Sequence, residues 1–149
     1  VGEKGISAMN QTAILLPAMA LMGWTMTVLL LVPYRRIRAV AAGLITTDDF
    51  KLGESSSVPC SVTLPNRIFM NLLEVPVLFY FVSLVIFMTH TADTTMIALA
   101  WTYLGLRILH SLVYLTYNKV THRGLVYATS NGVLVFMWFK LFIALGVPH

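Results

Sequence analysis

Charge is what this chain has least of. Only 11% of its 149 residues are Asp, Glu, Lys or Arg, against about 25% in a soluble domain. Such a chain cannot cover itself with a solvated surface, which excludes a soluble globular protein. One cysteine, Cys60, excludes an internal disulfide. It has no cationic neighbour in Ser55-Ser56-Ser57-Val58-Pro59-Cys60 that would activate it, so it reads as a bystander thiol. The formal net charge is +4, but the basic residues sit at the ends of apolar runs. They do not alternate with aromatics, which argues against a nucleic-acid surface. The start lacks an initiator Met and the basic run and cleavage site of a signal peptide, leaving a processed or trimmed start open. The segments do not alternate apolar and polar residues in tens, as a membrane β-barrel would.

What the chain does have is apolar length. Hydrophobic residues make up 58%, and the mean hydropathy is +0.80. Four runs, 14–32, 68–88, 96–117 and 125–147, approach or exceed the roughly 20 residues that cross a hydrocarbon core. The expected fold is therefore all-α, a single domain over 1–149 built as an integral membrane four-helix bundle. Arg35, Arg36, Arg38, Lys51 and Arg67 lie between the first and second runs or at the second's edge. Lys119 and Arg123 follow the third, and the opposite side offers only Lys4. The positive-inside rule then makes the protein multi-pass, with loops 33–67 and 118–124 cytoplasmic and both termini on the other side.

The first loop is long enough to be partly structured. Its segment from Arg35 to Gly43 reads as the first helix continuing and stopping at Gly43. The remainder reads as an extended cover over the cytoplasmic mouth. Asn10-Gln11-Thr12 matches the glycosylation pattern. His90 and Asp93 fall in a short outer turn, and two ligands do not make a metal shell. The eight methionines have no Cys or His at ligand spacing, so no metal site is expected. Pro76 should bend the second helix just past Glu74. Lys140 should reach the outer interface along its alkyl stem, while Phe136, Trp138, Phe139 and Phe142 read as lipid-facing or packing residues.

Two polar rows interrupt these runs. Arg67, Asn71 and Glu74 are spaced i, i+4, i+7, and Arg107, His110 and Tyr114 i, i+3, i+7. Each row falls on one helical face. An ionised group near the bilayer centre costs about 2.5–3.5 kcal/mol on insertion scales, so the rows should face a shared polar site. Glu74 lies about 10 Å deeper than Arg67, and Arg107 about 15 Å deep on an antiparallel helix. Those depths predict that Glu74 and Arg107 pair, directly or through one polar group. Arg67 and Arg123 near the mouth form a cationic funnel suited to a small anion.

The segment from Asn66 to Tyr80, with Arg67-x-x-x-Asn71-x-x-Glu74 followed by Pro76 and aromatics, resembles the signature of the MAPEG family, membrane-associated proteins in eicosanoid and glutathione metabolism. Arg107-x-x-His110-x-x-x-Tyr114 is similar to the prostaglandin E synthase branch, and Arg123 matches that branch's catalytic arginine. Gly124 stands where the branch has a serine, and the segment from Asp48 to Glu54 looks more like prokaryotic members. The resemblance implies a homotrimer with glutathione as co-substrate, bound between subunits near the cytoplasmic face. It implies that Arg67, Asn71, Glu74, His110 and Tyr114 bind the peptide, and that Arg107 pairs with Glu74. Tyr127 lines the pocket, and Arg123 stabilises the thiolate. Arg38, or equally Arg35, reaches the neighbour's site. Two principal readings stand. One is a glutathione transferase or peroxidase acting on lipophilic electrophiles or hydroperoxides. The other is a non-catalytic subunit that binds a lipid or quinone headgroup or stabilises a larger membrane complex. A proton pathway through Glu74 and His110 is weaker, because no polar row continues to the outer face.

Overall fold

The computed structural model describes residues 11–146 apart from 52, 54 and 56. Lys4, Asn10 of the glycosylation pattern, Leu52, Glu54, Ser56 and the expected end of the last span at Val147 lie outside the described residues. The described chain is helical: α1 Leu15–Ala41, α2 Cys60–Leu73, α3 Pro76–Met88, α4 Thr94–Leu115 and α5 Val120–Gly146. Taking α2 and α3 as one stretch, four helical stretches are long and apolar enough to cross a membrane: Gln11–Ala41, Cys60–Met88, Thr94–Leu115 and Val120–Gly146.

Each boundary has a local cause. α1 runs past its apolar part and ends where Gly43 takes φ +67°. The Gly43 amide donates to the Val40 carbonyl at 2.9 Å and the Leu44 amide to the Ala39 carbonyl at 3.0 Å. This paired closure needs a left-handed residue, which glycine adopts without a Cβ clash. The stop at Gly43 is thus as the sequence suggests. The second span breaks at Glu74–Val75, where Glu74 has ψ −99°. Pro76 has no amide hydrogen, and its ring crowds the carbonyl four residues back. The expected bend is therefore an interruption just before the proline, and Glu74 sits at its corner.

The 33–67 connection is shorter and more structured than an extended cover. After Gly43 it forms a 3-10 turn, Thr47–Phe50, and tucks Ile45 and Val58 against Ala39 and Val62. Asp49 accepts hydrogen bonds from the Thr46 amide at 2.8 Å and the Thr46 hydroxyl at 3.0 Å. These bonds hold its carboxyl below the ordinary carboxylate value. The turn packs because burying Ile45 and Val58 removes apolar surface that α1 and α2 cannot cover alone.

α4 is the central element, packed against α5, α1 and α2. Tyr103 of α4 stacks on Phe79 of α3 at 4.4 Å, among Leu72, Ile86, Ala100, Met137 and Leu141. The outward faces are apolar, with Leu30 70% and Phe142 74% exposed, as contact with acyl chains requires. At the far end, Asp93 caps α4 by accepting from the Met96 amide at 2.7 Å. Lys140 of α5 pairs with the same carboxylate. Gln11 closes this end by exchanging two hydrogen bonds with the backbone of Ala92.

Burial by itself would raise the Asp93 carboxyl, but the bonds from Lys140 and Met96 outweigh it and hold it below the ordinary carboxylate value. Folding lowers this pKa, so Asp93 stabilises the fold above the ordinary carboxylate value. That contribution is lost as pH falls through the lowered value. We expect Asp93→Ala to cost about 1 kcal/mol at neutral pH, the usual worth of an N-cap. It should also flatten the acid limb of thermal stability measured in detergent. An acid limb unchanged in the variant would assign that limb to another group.

Candidate functional site

Three helices bring five of the expected residues around one cavity of about 240 Å³. Asn71 comes from α2, His110 and Tyr114 from α4, and Arg123 and Tyr127, with Gly124, from α5. The i, i+4 spacing of His110 and Tyr114 stacks them one turn apart on the face of α4 that meets α5. Their rings stand edge to face, 6.0 Å between centroids. The His110 ring also lies 5.7 Å from that of Tyr127.

Arg123 is on the first turns of α5, which begins at Val120, so the expected loop 118–124 is mostly helix. Its guanidinium carbon lies 4.1 Å from the centroid of the Tyr114 ring, and its Nη1 donates to Asn118 Oδ1 at 2.8 Å. Asn118 takes φ +45° in the turn between α4 and α5, a conformation that Asn tolerates better than most residues. The turn thus supplies both the reversal and the acceptor that holds Arg123. A cation fixed over an aromatic face and beside a polar recess is arranged to receive an anion.

Arg107 stands one turn deeper on α4 and is only 1% exposed. The expected pairing with Glu74 is not formed. Arg107 Nε instead donates to the Tyr103 hydroxyl at 3.0 Å and Nη2 to Asn131 Oδ1 at 2.5 Å. Its charge also lies 5.0 Å from the Tyr127 ring centroid. Glu74 is exposed at the α2–α3 corner. Arg67 is exposed as well, and its carbonyl accepts from Asn71 Nδ2 at 3.1 Å. Neither Arg67 nor Glu74 lines the cavity. Arg38 donates to the Tyr34 hydroxyl at 3.2 Å and lines a separate recess of about 270 Å³ with Arg35 and Ser61.

Two polar partners escaped the reading of the sequence, Asn118 and Asn131. Asn131 had a signal: Arg123, Tyr127 and Asn131 are spaced i, i+4, i+8, a third polar row on the last span. Asn118 had none beyond its place in a turn.

Gly124 opens the cavity wall. A Cβ built there meets nothing within 4 Å, so Gly124→Ser should fold. Serine's better helix propensity should make it stable to within about 0.5 kcal/mol of the parent or slightly more so. Thermal unfolding in detergent checks this; a loss of several degrees would mean that the added side chain is not accommodated there.

The family model described as the MAPEG family matches residues 14–143. Neither a curated protein nor a solved structure matches the chain.

Proposed function

The chain belongs to the MAPEG family, and from that premise we propose that it is a membrane-bound glutathione-dependent transferase or peroxidase acting on lipophilic electrophiles or hydroperoxides. The observation that carries the reading is the convergence of Asn71, His110, Tyr114, Arg123 and Tyr127 on one polar cavity in an otherwise apolar bundle. In this reading glutathione is the co-substrate, and Arg123 is the catalytic residue. A free thiol has a pKa near 8.5, and a neighbouring cation can bring it to about 3.5–7.5. Arg123 lowers the thiol's pKa by stabilising the thiolate, and the aromatic and amide groups orient the peptide. The thiolate sulfur then bonds to an electrophilic carbon, and the displaced group leaves with the electron pair. With a hydroperoxide, sulfur attacks the O–O bond and the alkoxide leaves and takes a proton. A second glutathione then reduces the sulfenic acid, giving glutathione disulfide and water.

Exposed Arg67 and Glu74 support an assembly of several copies. Both lie on a helix long and apolar enough to cross a membrane, and charged side chains within a span, Glu74 above all, are expected to face protein or water rather than lipid. A homotrimer would cover them with a neighbouring copy, bring Arg38 of that copy toward the site, and complete a glutathione site between subunits. We further propose that the loops 33–67 and 118–124 face the cytoplasm, where the basic residues gather, and that both termini lie opposite.

Calorimetric titration with glutathione tests the reading. Saturable binding that Glu74→Gln weakens is the expected result; no binding at millimolar ligand rejects it. Arg123→Ala should lower turnover by on the order of a hundredfold or more. It should also move the pH optimum upward, because the thiol loses its cation, while the oligomer persists. Unchanged turnover and pH profile would remove Arg123 from the chemistry.

A further inference from the structure

Asn131 lies two turns after Arg123 and one after Tyr127 on the same face of α5. Its side-chain oxygen accepts from Arg107 Nη2 at 2.5 Å. Arg107 is almost wholly buried, 1% exposed. Its other flank is fixed by the Tyr103 hydroxyl at 3.0 Å, and Tyr103 is itself clamped against Phe79. From this anchored position the guanidinium carbon sits 5.0 Å from the Tyr127 ring centroid. Tyr127 in turn lies 5.7 Å from His110, and both line the cavity. A continuous set of contacts therefore runs from Asn131 through Arg107 to the cavity wall.

The chemistry of the partners adds a second point. Both oxygens on Arg107 are neutral, and among the described residues no carboxylate pairs with it. An aspartate at position 131 would meet the guanidinium with similar geometry and cancel its charge. Asparagine holds the group and leaves the charge uncompensated. We propose that Asn131 is a positioning residue: it fixes Arg107 against Tyr127 and, being neutral, leaves the guanidinium's positive field acting on the anion in the cavity. The identity of that anion as glutathione rests on the reading above; the positioning does not.

Two variants of the full-length protein in detergent test this, with fluorotyrosine placed at position 127 as the probe. Asn131→Leu removes the acceptor and should broaden or split the Tyr127 fluorine resonance. Asn131→Asp keeps the acceptor and should leave the resonance single and sharp. A unit charge roughly 10 Å from an anion, at an effective dielectric near 20, changes affinity by on the order of tenfold. Asn131→Asp should therefore weaken glutathione binding by about that factor while the ring stays in place, a split that a merely structural role would not give. A sharp, single resonance in Asn131→Leu overturns the positioning. Unchanged affinity in Asn131→Asp, where the parent binds, overturns the role of the charge. If the parent binds no glutathione, the proposed function falls while the fluorine comparison still decides the positioning. Should Asn131→Leu fail to fold, a broadened resonance in Asn131→Asp overturns the positioning.

Discussion

A cation buried at the centre of an apolar bundle is the constraint on which the rest of this structure depends. Desolvating a guanidinium costs several kcal/mol unless its donors find acceptors. Arg107 meets that cost with one oxygen from its own helix, Tyr103, and one from the facing helix, Asn131. Those bonds dictate which face of α4 meets α5. They also set the rotation of α5, because Tyr127 sits one turn from Asn131 and must lie over the guanidinium. The cavity is the consequence: with α4 and α5 locked at Arg107, the residues nearer the α4–α5 turn on both faces, His110, Tyr114, Tyr127 and Arg123, are left to surround a polar space.

The two ends of the bundle are fixed by different means. At one end Asp93 joins the start of α4 to Lys140 of α5. At the other, Asn118 reverses the chain and holds Arg123. A cationic side chain that is both stacked and hydrogen-bonded keeps little rotamer freedom to lose when an anion arrives, so its attraction is not spent on ordering it. The break at Glu74–Val75 does the opposite to α2. It ends the polar row at a corner, and Arg67 and Glu74 of that row lie on the protomer's surface. Within one chain, then, Asn71, His110, Tyr114, Arg123 and Tyr127 surround a cavity, while Arg67 and Glu74 face outward.

Much of the architecture was legible in the residues. Apolar length without alternation predicted the four spans, because a helix satisfies its own backbone in lipid while a barrel strand would alternate apolar and polar residues. Gly43 and Pro76 marked a helix stop and a break, since their backbone restrictions hold whatever surrounds them. The grouping of Asn71, His110, Tyr114, Arg123 and Tyr127 was also within reach, from helical spacing joined to family resemblance. The Glu74–Arg107 pairing was not. Depth along a helix says which residues share a level, but not how each helix is rotated about its own axis.

The sequence by itself therefore determined the class of molecule, the extent of its helices and the composition of its polar faces, all of which follow from local rules of burial and backbone geometry. Only the tertiary structure decided the partners. It gave Arg107 to Tyr103 and Asn131, turned Glu74 outward, and placed Arg123 against Tyr114. The physical reason is that a hydrogen bond is fixed by tenths of an ångström across two packed helices, whereas helical periodicity fixes only the side of one.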